Sequence, residues 1–170
     1  MPGPGAEARR PLITARIWVA LLGFVAGAVL VGLITLSPDP VDSNHRALVR
    51  EVLLFLHDHG VPEWFGYRKL EFSANIVMFV PLGFFAALLL PLGRAWIAGI
   101  VGMAMSMGAE LAQLILLPAR FATVLDVLAN SVGAWIGVGL AVLLRICVAA
   151  RDKRLLREAA ARRSYTATAR

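Results

Sequence analysis

The chain has 170 residues, 59% of them hydrophobic and 16% charged, with a formal net charge of +6; soluble domains average about 45–50% apolar and about 25% charged. That balance argues against an ordinary soluble domain. The bases gather at the two ends beside apolar runs rather than on a face interleaved with aromatics, which argues against nucleic acid as a partner. One cysteine, Cys147, excludes an internal disulfide framework and reads as a packing residue.

Residues 1–16, MPGPGAEARRPLITAR, are basic and rich in Pro and Gly, and read as a disordered N-terminal tail. Residues 17–36 are the first apolar run. About 20 residues cross a hydrocarbon core of about 30 Å, whereas a cleaved leader has an apolar region of only about 7–15. The run therefore reads as a retained span. Residues 37–71 are a polar connection. Within it, Leu48, Val52, Phe55 and Leu56 recur at helical spacing, which predicts a short amphipathic helix against the membrane surface or over the end of the bundle. Trp64, Phe65 and Tyr67 form an aromatic cluster typical of a membrane–water interface.

Three more spans are predicted, at residues 72–92, 95–117 and 124–146. Gly93 and Arg94 alone separate the second from the third, so these two are expected to be antiparallel neighbours. Residues 118–123 make another tight turn, and residues 148–170 are a basic C-terminal tail of helical pattern. The expected fold is all-α: a membrane-embedded four-helix bundle over residues 17–147, with the lipid bilayer as its surroundings. Of the 17 Lys and Arg, twelve lie in the N-terminal segment, at Arg94 and in the tail from Arg145 onward. The positive-inside rule then places both termini in the cytoplasm and the 37–71 connection outside.

Under that topology six polar positions, Asn75, Glu110, Gln113, Arg120, Asp126 and Asn130, all fall at the level of the outer leaflet. Glu110 and Gln113 are spaced i, i+3 and Asp126 and Asn130 i, i+4, so each pair shares a helix face. The first face continues through Ser106, Gly102 and Gly99, and the second through Gly133, Gly137 and Ala141; the first span offers Gly23 and Gly27. Stripes of small residues let membrane helices approach closely, so the polar groups are expected inside the bundle, lining a pocket or forming a sealed knot. A carboxylate within a span costs about 2.5–3.5 kcal/mol on insertion scales. An Arg–carboxylate pair that only locks helix register is the structural alternative.

His57 and His59 flank Asp58, with His45 upstream. Without a cysteine or a second tight pair they read as solvated loop residues, and no metal or cofactor is expected. No nucleophile elbow, HExxH or phosphate loop is present. Trp18 and Trp96 are expected to anchor at an interface and Trp135 to pack against a neighbour.

The segment NIVMFVPLGF (75–84), Glu110 with Gln113, and Arg120 followed by Asp126 and Asn130 leading into NSVGAWIG resemble the VanZ-like family. These are small bacterial membrane proteins named for a teicoplanin-resistance protein, and the resemblance covers about residues 17–147. It implies a multi-pass protein of the bacterial plasma membrane in which Asn75, Glu110, Gln113, Arg120, Asp126 and Asn130 occupy the family's polar positions. The chain departs at Thr123 and Leu125, where the family often has acids; this lowers the negative charge and argues against a divalent-metal centre. Glycopeptide resistance is the namesake's role and does not pass automatically to every relative.

The leading functional expectation is an outward pocket that binds a lipid headgroup, a peptidoglycan precursor or a glycopeptide-type antibiotic and so contributes to antibiotic tolerance. In it Arg120 clamps an anionic group bidentately. The alternative is an intramembrane enzyme on a lipid-linked envelope substrate, with Glu110 or Asp126 as general base and Arg120 stabilising developing charge; no nucleophile supports it. A transporter ranks last, because the second to fourth spans carry no ionisable group at mid-depth.

Overall fold

The computed structural model describes residues 4–35, 41–116 and 123–168; for residues 4–14, 41–46, 48 and 161–168 it describes the backbone alone. Five α-helices follow one another: α1 (Pro4–Thr35), α2 (Val41–Asp58), α3 (Tyr67–Leu89), α4 (Trp96–Leu116) and α5 (Val124–Thr168). A single 3-10 turn, Leu92–Arg94, joins α3 to α4. All but α2 are long and apolar enough to cross a membrane. The 45 residues of α5 correspond to about 67 Å of helix, more than twice a hydrocarbon core of about 30 Å. The part from Arg151 to Ala160 is exposed and highly charged.

Large apolar side chains point outward: Leu33, Val77, Leu114, Ile115 and Leu143 are all exposed. The interior is made of small ones, with Ala87, Ala98, Ala129, Ala134 and Ala141 buried and, among the described residues, only Phe79 and Leu82 as bulky apolar side chains fully enclosed. This is the distribution expected in lipid, where exposed leucine costs nothing and helices associate by close backbone approach.

The central pair is α3 and α5, which run parallel. Gly133 lies against the carbonyl of Ile76, Gly137 against that of Val80, and Gly83 against that of Ala134. A β-carbon at any of the three would collide with a backbone atom of the facing helix. The third member, α4, is antiparallel to both; Gly102 receives Ala134 and Gly99 lies under the ring of Trp135. The first helix, α1, packs antiparallel on α3, with Gly23 against Phe85 and Gly27 beside Leu82. One core cluster joins Val31, Phe79, Leu82 and Ala134; a second, nearer the Leu92–Arg94 turn, joins Ala87, Ala95, Ala98, Val138 and Ala141.

The two small-residue stripes therefore serve different seams. That of α4 meets α5, but Gly133 and Gly137 of α5 meet α3. The short α3–α4 connection makes those helices antiparallel neighbours, yet the deepest contact is the one between α3 and α5, because their glycines fit carbonyls on the partner.

At the turn end of the bundle Arg145 reaches from α5 to the end of α3. Its Nη1 donates to Leu90 O at 2.7 Å and Ala87 O at 3.3 Å, and Nη2 to Leu88 O at 3.3 Å. The last carbonyls of a helix have no intrahelical donor and carry the negative end of its dipole, so a half-buried guanidinium there satisfies three acceptors at once. Charge-assisted hydrogen bonds are worth about 1.5–3 kcal/mol. Arg145→Met should lower stability by about that amount in equilibrium unfolding of detergent-solubilised protein, while Arg145→Lys, a point donor without the fork, should recover part of it. A stability unchanged in Arg145→Met would show that the capping contact is not formed.

At the other end α2 stops at Gly60, whose φ of 92° gives the left-handed turn that glycine adopts readily. Gly60 N donates to His57 O and Val61 N to Leu56 O, the paired bonds of a Schellman ending. His57 Nε2 lies 3.1 Å from Phe65 O, and Lys69 Nζ donates to Trp64 O at 2.9 Å while sitting 3.7 Å from the Trp64 ring centroid. The turn that aims α3 into the bundle is thus held by side chains on both its flanks. His59 stacks on Phe55, so both histidines of the HDH stretch have local partners.

Candidate functional site

The polar end of the bundle is where α1 and α4 finish and α3 and α5 begin. Its centre is Thr123, which precedes the first residue of α5. The Thr123 Oγ1 accepts from Asp126 N at 3.2 Å and donates to Asp126 Oδ2 at 2.6 Å. A threonine at the N-cap with an acid three positions on closes the first turn of a helix. Asp126 Oδ1 accepts from Asn75 Nδ2 of α3 at 2.8 Å. Glu110 of α4 turns Oε2 onto Thr123 N at 3.2 Å. Three helices are thereby joined through the Thr123–Asp126 pair, Thr123 taking α4 and Asp126 taking α3.

The same geometry explains how the acids are tolerated. Asp126 stands in the first turn of α5, and Glu110 accepts from an amide at that helix's start. Both carboxylates sit at the positive end of the α5 dipole, where anions are favoured. Thr123 also separates them chemically, giving an N–H to one and an O–H to the other. An acid at position 123 would add a third acceptor in place of that donor.

The remaining expected site residues go elsewhere. Gln113 is buried, and its Nε2 donates to Thr35 O at 2.6 Å, which ties α4 to the end of α1; Thr35 Oγ1 in turn donates to Val31 O. Gln113 and Glu110 share a helix but serve different neighbours. Asn130 lies one turn below Asp126 and donates from Nδ2 to Ser106 Oγ at 2.9 Å, in an interior where both residues are buried. Arg120 and most of the turn that contains it lie outside the described residues. Of the six positions, the structure thus links Asn75, Glu110 and Asp126 in one network and gives Gln113 and Asn130 separate partners.

Three participants escaped the sequence reading. Thr123 was noticed only as a departure from an acidic pattern, although Thr-x-x-Asp before an apolar run is a capping signal. Ser106 was read as a small packing residue, and Thr35 carried no signal, since its acceptor is a backbone carbonyl.

Four membrane-spanning helices held together by small residues, with a polar network at one end, define a multi-pass helical membrane protein. A family model described as VanZ/LLP1 matches residues 18–145, and the chain belongs to that family. No curated protein and no solved structure matches it.

Proposed function

We propose that the polar end of the bundle faces outward, with both termini in the cytoplasm, and binds a polar or anionic cell-envelope ligand: a lipid headgroup, a peptidoglycan precursor or a glycopeptide-type antibiotic. The observation that carries this reading is the network of Asn75, Glu110, Thr123 and Asp126. It gathers hydrogen-bonding groups from three helices at one end, beyond a bundle whose middle is packed with alanine and glycine. Arg120, three residues before Thr123, would present its guanidinium to an anionic group on the ligand. The network would hold the start of α5 in place, and Glu110 and Asp126 would receive ligand donors.

The same reading favours binding over catalysis, because the hydroxyl beside the carboxylates, that of Thr123, is engaged in capping the first turn of α5, accepting from Asp126 N while it donates to Asp126 Oδ2. A strain lacking this protein, complemented with wild type or with Arg120→Ala, provides the test. Wild type should restore glycopeptide tolerance and Arg120→Ala should not, with equal membrane levels of both. Equal complementation would remove Arg120 and the proposed pocket as the active element.

A further inference from the structure

Asn130 is only 2% exposed and its Oδ1 has no hydrogen-bond partner among the described residues. Its Nδ2 is satisfied by Ser106, which is 0% exposed. Turning the amide over would satisfy the oxygen and orphan the nitrogen instead, so one half of this amide requires a further partner in either orientation. An unmet polar group in a membrane interior costs several kcal/mol, and buried groups of this kind are met by ordered water.

The surroundings favour such a guest. Ser106 is four residues before Glu110 and Asn130 four after Asp126, so the Ser106–Asn130 pair forms the layer directly beneath the carboxylates, about 6 Å deeper in the bundle. The layer above is rich in acceptors. The Ser106 oxygen already accepts from Asn130, which leaves its O–H to donate. A molecule with two donors and an acceptor matches this set.

We infer that a water molecule is held within the bundle at Asn130, donating to its Oδ1, accepting from the Ser106 O–H and turning its second hydrogen toward the Asp126 carboxylate. The polar network then continues one helical turn inward from the rim, and a ligand hydroxyl or amine could reach the same acceptors by displacing the water. The site needs no assumption about which side of the membrane the rim faces or which ligand binds there.

Solid-state NMR on the full chain in lipid vesicles, with side-chain nitrogens labelled, would test it by magnetisation transfer from water to the Asn130 amide, assigned with Asn130→Leu. Transfer at Asn130 on the timescale seen for bound water is expected, with Lys69 and Trp64 near the rim as wet references. Asn130→Leu should lower the thermal midpoint by several degrees, since it removes the bonds to Ser106 and to water. No transfer at Asn130 while the references show it, or a midpoint raised by Asn130→Leu, as removal of a dry orphan oxygen would produce, overturns the inference.

Discussion

Gly137→Ala should destabilise the protein by about 3 kcal/mol, at the upper end of the range for overpacking a tight interior, and Gly133→Ala by a similar amount. The added methyl meets the carbonyl of Val80 in the first case and of Ile76 in the second. Neither obstacle is a side chain that can rotate away; relief requires α3 and α5 to separate along their length, which also loosens Gly83 against Ala134. Substitution by Val or Leu should abolish the folded state. Gly139 and Gly108 are the controls, because among the described residues a β-carbon at either meets nothing within 4 Å. There alanine should be neutral or stabilising by up to about 1 kcal/mol, the ordinary helix-propensity gain over glycine. Equilibrium unfolding in mixed micelles, read by circular dichroism, separates the two classes. Gly137→Ala as stable as Gly139→Ala would mean the α3–α5 seam is not packed as described.

Asp126 supports the second large effect. Asp126→Ala leaves Asn75 Nδ2 and the Thr123 hydroxyl without their acceptor and weakens the start of α5. The Asn75 contact is part-buried and the Thr123 contact exposed, so the unmet donors cost about 1 kcal/mol, the lower end of the range for a buried one, and loss of a helix cap adds about 1 kcal/mol. Asn75→Ala alone should cost less, because the Asp126 carboxylate retains Thr123. The double variant should be little worse than Asp126→Ala, a coupling within the range of about 0.5–3 kcal/mol found for contacting pairs. Strict additivity would dissolve the network. Thr123→Ser should behave as wild type and Thr123→Ala should not, since the hydroxyl, not the methyl, makes both contacts.

Much of the architecture could be read from residue order alone. The all-helical class and its four spans follow from apolar run length, because a membrane imposes one thickness on every helix that crosses it. The collection of Asn75, Glu110, Gln113, Asp126 and Asn130 at one end follows from the same spans, since successive helices reverse direction. Helical phase also placed Gly99, Gly102 and Ser106 on one buried stripe and Gly133 and Gly137 on another.

Partner choice was decided in three dimensions. Spacing shows that Glu110 and Gln113 share a face, but a face of a helix in a bundle borders two neighbours; Glu110 turned to the start of α5 and Gln113 to the end of α1. The stripe of α5 met α3, with which it has no short connection, because the fit of glycine to carbonyl depends on interhelical distance and not on sequence separation. Arg145 counted in the sequence only as one more basic residue beside the last span, yet it closes the end of α3, since backbone carbonyls leave no trace in composition. Local periodicity determines where a helix runs and which side is small or polar; which surface it meets is settled by the competition of all the helices for close approach.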